Sequence, residues 1–234
     1  MTKRFLYSLL ITIVLVMVTG CSDRLDLEDG TIPLLQGFDL DTNNNFLFYT
    51  ASPVFSKNAK KKTQEISVRA QTARQARGKE SAFTEGIFQG RKVLVSLVSR
   101  RLLEHPDWFR TMDVLFRDPK NPLTTRFVVY DGPLSEIMYL NPKDQPSLPL
   151  LLRGMIDTKS ARSETVKTTT QELHRQMSEK GVTPSIAKIN LENKQIKLNG
   201  TVLLDHKGKY VLSLKTAETV LLCILQNQVK SQST

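Results

Sequence analysis

The residue with the most definite chemistry in this chain is Cys21, the last residue of Val18-Thr19-Gly20-Cys21. Small residues before a cysteine are what a lipoprotein signal peptidase requires, and Thr19 and Gly20 supply them. Lys3 and Arg4 form a positive n-region, and Phe5–Val18 follows without a charge. The pattern reads as a signal peptide over residues 1–20 that is cleaved before Cys21. The Cys21 thiol is then the nucleophile that takes a diacylglyceryl group, and the new N-terminus is acylated to give an N-palmitoyl, S-diacylglycerol cysteine. The uncharged run is shorter than the about 20 residues that a spanning helix needs. Its flank Asp23, Arg24, Asp26, Glu28, Asp29 is no basic stop-transfer cluster.

No other constellation carries reaction chemistry. His105, His174 and His206 lie far apart in the chain, without cysteine, histidine or carboxylate neighbours at metal-ligand spacing. There is no Gly-x-Ser-x-Gly elbow, and Gly78-Lys79 lacks the upstream glycine and the Ser/Thr of a phosphate loop. Asp39-Leu40-Asp41-Thr42-Asn43-Asn44-Asn45 resembles a calcium loop only superficially, since Asn44 and Thr50 stand where the glycine and the bidentate glutamate belong. Asp113 and Asp118 flank a helix end and pair more naturally with Arg110 or Arg117 than they do acid–base work. Trp108–Phe116 is rich in aromatics and reads as core. The chain is expected to have no catalytic residue, no metal ligand and no cofactor, which favours a binding or structural role over an enzyme.

Composition fits an exported, globular, basic protein of 234 residues with a net charge of +10. Residues 57–92 hold ten Lys or Arg against three Glu. The bland reading of that excess is a solvated face, the other a phospholipid or partner contact. Aromatic side chains are not interleaved with these charges as a single-strand nucleic-acid platform needs, so no nucleic acid is expected. With Cys21 lipidated, Cys223 is left without a partner, and Val220–Leu225 makes it a small apolar core residue.

The elements alternate. Ile32–Leu40 and Phe46–Phe55 read as strands joined by a polar turn, and Gln64–Arg69 as a third. Thr72 caps a helix over Ala73–Ala82. Lys92–Val98 reads as a buried strand, Ser99–His105 as a short helix, Asp107–Phe116 as another helix and Thr124–Tyr130 as a strand. A short helix at Ser135–Leu140 precedes the proline-rich connector Asn141–Pro149. Leu150–Asp157 and Thr165–Lys180 read as helices, then Ser185–Asn190, Lys194–Leu204 and Tyr210–Leu214 as strands and Ala217–Val229 as a last helix. The rhythm predicts an α+β fold, a mixed sheet with packed helices after the cleaved signal peptide. The expected division is a domain over residues 21–183 and the start of an incomplete second α+β domain over 184–234.

Several of these blocks together resemble the Ger(x)C spore germination lipoproteins, the C subunits of nutrient germinant receptors. They are Val18–Arg24, Gly37-Phe38-Asp39-Leu40-Asp41, Lys92–Leu103, Asp113-Val114-Leu115-Phe116-Arg117-Asp118-Pro119, Thr125–Val129, Leu198–Asp205 and Leu214–Leu225 with Glu218. Ser22 stands where the family usually has Trp, and members usually continue for well over a hundred further residues. The resemblance implies an α+β lipoprotein, lipid-anchored at the outer face of the spore inner membrane. It further implies partnership with membrane A and B subunits, without enzymatic activity, and leaves direct germinant binding open. The competing expectation is a substrate-binding lipoprotein of a transporter, which usually needs two lobes around a cleft.

Overall fold

The computed structural model describes residues 30–55, 61–84, 87–88, 92–140 and 145–226, with a few isolated positions before residue 13. Most of the signal peptide, Cys21, residues 56–60 of the basic loop, residues 141–144 of the connector and the tail from 227 lie outside the described residues.

The strands are β1 (Gly30–Thr31), β2 (Leu35–Leu40), β3 (Phe46–Pro53), β4 (Thr63–Ala70), β5 (Ile87–Phe88), β6 (Val95–Ser99), β7 (Arg126–Tyr130), β8 (Ser185–Glu192), β9 (Gln195–Leu204) and β10 (Tyr210–Leu214). The helices are α1 (Ala73–Ser81), α2 (Arg100–Glu104), α3 (Trp108–Thr111), α4 (Asp113–Arg117), α5 (Ser135–Met138), α6 (Leu148–Ala161), α7 (Thr170–Ser178) and α8 (Thr216–Leu225). Eight strands form one mixed sheet in the order β10-β9-β8-β7-β6-β2-β3-β4. Its centre, β2, β6, β7 and β8, is parallel, and its two wings are antiparallel. β1 pairs with β5 in a separate small parallel sheet.

Hydropathy explains the placement. Every residue of β6 and of β7 is buried, as befits parallel strands covered on both faces. At the edge strand β4, Ile66, Val68 and Ala70 are buried while Ser67 and Arg69 are exposed, the alternation of a half-solvated strand. Two apolar clusters fill the space on either face. One joins Phe38, Phe48, Val98, Phe127 and Val202 to α1–α4 and α7, and the other joins Leu35, Val95, Leu97 and Val128 to α5 and α6. The expected α+β fold, a mixed sheet with packed helices, is what the chain adopts.

The division expected at residue 184 lies just before β8, whose strand and the two that follow pair into this same sheet. β8 lies parallel to β7, with Val128 opposite Ala187 and Tyr130 opposite Ile189, and β9 flanks its other side. Ser185, Ile186, Ala187 and Ile189 are each 0% exposed, so β8 needs neighbours on both edges and on both faces. Ion pairs reinforce the join. Lys188 Nζ is 3.0 Å from Asp131 Oδ2, and Arg100, also on Asp131, lies 4.3 Å over the Tyr210 ring. Burial pushes the Asp131 carboxyl up, yet the Lys188 hydrogen bond and charge, then Arg100, outweigh it and hold it below the usual carboxylate range.

Two helices differ from expectation in extent. Residues 107–116 divide into α3 and α4 at Met112, and Asp107, at φ 58°, makes no side-chain cap. In the span 165–180 only Thr170–Ser178 is helical. Thr165 and Thr168 instead spend their hydroxyls on the Gly200 and Ser185 carbonyls, at 3.0 and 2.5 Å, and Thr169 bridges to Arg126 and caps α7.

Candidate functional site

Cys21 itself lies outside the described residues, but its point of attachment to the fold is defined. Gly30 is nine residue steps on from Cys21, a contour of at most about 30 Å. Gly30 and Thr31 pair with β5, which packs on α1. Three residues later Leu34 donates its N–H to the Ala51 carbonyl at 2.9 Å and accepts from Leu94 N–H at 2.8 Å. The chain coming from Cys21 therefore joins the sheet where β2, β6 and β7 begin and β3 ends. At this end stand Phe55, 74% exposed, and Leu123, 52% exposed, with Lys62 and Lys92 also solvent-facing. Phe83, 64% exposed, follows α1 by one turn from Glu80, which sits beside Thr50 near the end of β3.

The residues singled out in the sequence can be followed one by one. His105 lies against Phe46 with its Nδ1 buried and unpartnered, His174 packs on Phe109 and Phe116 at 6.3 and 5.6 Å, and His206 is in the β9–β10 turn. Among the described residues, no group of three His, Cys, Asp or Glu side chains could hold a metal ion. Asp113 pairs with Arg117 at 2.6 Å. Asp118 pairs with Arg77 and accepts Lys120 N–H at 2.9 Å, while the other arm of Arg77 reaches Asn121 Oδ1 at 2.8 Å. The Arg-Asp-Pro block is thus a clamp between α1 and α4. Trp108, 0% exposed, is core, and its Nε1–H donates to the Gly208 carbonyl at 2.6 Å. Cys223 is buried and apolar as expected, and burial pushes its thiol pKa up. Asp41 accepts from the N–H groups of Asn43 and Asn45 at 2.8 and 2.9 Å, closing the hairpin that the calcium-like stretch forms.

Sequence reasoning missed two buried carboxyls. Asp39, 2% exposed, accepts Leu40 N–H at Oδ1 and Leu134 N–H at Oδ2, both at 2.8 Å, and so ties β2 to the start of α5. Its trace in the sequence is an acid set between Phe38 and Leu40 in a strand. Glu80, 3% exposed, lies under α1 against the sheet, with Oε1 unpartnered. Its period of four from Ala76 puts it on the buried face of α1, the signal that could have found it. Burial pushes its pKa to about 7, and the Thr50 hydroxyl and the Arg77 charge recover only part of the shift. The unfolded chain ionises Glu80 near 4.5, so between there and about 7 the folded state binds the extra proton and stability falls as pH rises. Glu80→Gln is expected to flatten that window and to stabilise the domain at pH 8 by up to about 3 kcal/mol, measured by urea denaturation at pH 4 and pH 8.

A cavity of about 420 Å³ lies between α7, the segment before it and Cys223 of α8. Its polar side chains are spoken for within the fold: Lys167 by Asp157, Arg175 by Glu172, Ser160 by the Asp157 carbonyl and Thr165 by the Gly200 carbonyl. It offers no nucleophile with a base.

Among solved structures, the crystal structure of the GerBC protein aligns with a TM-score of 0.45 and 10% identity, over 83% of this chain and 56% of that one. The chain thus spans a little over half of that protein. None of the curated proteins compared matches it. The family model described as the spore germination protein N-terminal domain matches residues 23–191, from just past Cys21 to the penultimate residue of β8. That match takes in most of the chain, and the chain belongs to the spore germination protein family.

Proposed function

We propose that this protein is the lipid-anchored accessory (C) subunit of a spore germinant receptor, acting with membrane A and B subunits in nutrient-triggered germination. The observation that carries the reading is the family match over residues 23–191, which begins two residues after the lipobox cysteine. In this reading Cys21 holds the domain at the outer face of the spore inner membrane, and the domain docks on partner subunits without performing a reaction. Two acyl chains suffice for stable anchoring, at about 0.8 kcal/mol per buried methylene. Among the described residues no helix is long and apolar enough to cross a membrane, so none of those helices could replace the anchor.

Cys21→Ala is the test. It is expected to abolish incorporation of labelled palmitate, to leave an uncleaved precursor or release the protein from the spore membrane fraction, and to slow nutrient germination. Unchanged palmitate labelling in the variant would refute the assignment of Cys21.

A further inference from the structure

We propose that the end of the sheet where β2, β6 and β7 begin is the face that this domain turns toward an anionic bilayer, with Phe55, Phe83 and Leu123 entering the interface and Lys62 and Lys92 meeting lipid headgroups. The proposal rests on the anchoring of Cys21 for its setting but not for its test.

Three independent features coincide at this end. The first is connectivity. The contour of at most about 30 Å from Cys21 to Gly30 delivers the chain beside α1 and the start of β2, so this end is tethered nearest the bilayer. The opposite end of the same strands, the Asp41–Asn45 turn, is about 20 Å further along β2 and β3.

The second is apolar exposure. Phe55, Phe83 and Leu123 are 74, 64 and 52% exposed, in three different connections that reach this end. Large apolar side chains on short loops beside lysines are the composition that lies in a membrane interface.

The third is charge. Lys62 precedes β4 and Lys92 precedes β6, and both are exposed. Among the described acids of this end, Glu65 pairs with Lys61, Asp118 with Arg77, and Asp157 with Arg126 and Lys167, while Glu80 is buried under α1. An anionic surface attracts such free lysines by a factor of about five each.

The other exposed apolar set, Val211, Leu212, Leu221, Ile224 and Leu225, belongs to β10 and α8. It lies five strands from β2, about 24 Å across the sheet, and away from the entry of the tether.

The experiment places a tryptophan at each face of the full chain, as Phe55→Trp, Phe83→Trp, Thr42→Trp or Leu221→Trp. Each variant is reconstituted from detergent into vesicles of phosphatidylglycerol and phosphatidylcholine with brominated acyl chains, and quenching is read against the unsubstituted chain, whose Trp108 is buried. The chain is held on the vesicle by its lipid if Cys21 carries one and by the apolar run Phe5–Val18 if it does not. Intact mass of the same sample says which, so a failure of lipidation is read separately from a failure of this proposal. Quenching at 55 and 83 should exceed that at 42 and 221 several-fold, and Lys62→Glu with Lys92→Glu should lower it about fivefold or more. Quenching at 42 or 221 equal to that at 55 and 83 would overturn the proposal. So would no quenching at any of the four, which would leave Phe55 and Phe83 to a protein contact.

Discussion

Gly200→Ala is expected to destabilise the domain by about 3–5 kcal/mol, one of the two largest single-residue effects in this fold. Gly200 has φ +86°, and a Cβ there would stand 1.9 Å from the Leu214 carbonyl oxygen. The position is a bulge. β8 and β9 pair Ala187 with Thr201 and Ile189 with Leu198, so Asn199 and Gly200 together face Lys188. The bulge turns the Gly200 carbonyl to the Thr165 hydroxyl at 3.0 Å and brings β10 in close. An alanine costs about 1–2 kcal/mol for the left-handed backbone alone, and the overlap with Leu214 adds the displacement of an edge strand. Gly154→Ala is the control. That glycine is exposed within α6 with nothing within 4 Å of its would-be Cβ, and alanine there should stabilise by about 0.5–1 kcal/mol. Urea denaturation of the two variants reads both signs in one comparison.

Trp108→Ala is the second, at about 3–5 kcal/mol. Trp108 is 0% exposed, meets Phe109 edge-on at 5.7 Å between ring centroids, and holds the Gly208 carbonyl across 100 residues of sequence. Gly208, at φ +83°, forms the turn between β9 and β10, so the tryptophan couples α3 to the far wing of the sheet. Trp108→Phe keeps most of the ring burial and gives up the hydrogen bond, for an expected loss of about 1–2 kcal/mol. If the alanine and phenylalanine variants were equally stable, ring packing would not be what holds that wing.

Much of this was legible beforehand, for local reasons. Thr72 caps α1 by accepting Gln75 N–H at 3.2 Å, and Ser99 caps α2 by accepting Leu102 N–H at 3.1 Å. The strands read over Lys92–Val98 and Thr124–Tyr130 are the central parallel strands β6 and β7. What was not legible is non-local. Nothing in Ser185–Glu192 says whether it starts a new layer or slots beside β7, because a buried strand has the same sequence in either setting. The proline-rich connector leads into α6, the first long helix of the crossover that returns the chain from β7 to β8. Glu80 was overlooked because it is an acid in a charged helix, and only the packing of α1 on the sheet makes it a buried one.

The central claim is that the chain serves a germinant receptor, and co-purification tests it most directly. The tagged full chain, solubilised from spore membranes and captured, should bring down an A and a B subunit of one receptor, identified by mass spectrometry, and should do so less well as Cys21→Ala. Capture with transporter permease components instead, together with a ligand-induced rise in the melting temperature of the purified chain, would contradict the account and favour a substrate-binding lipoprotein.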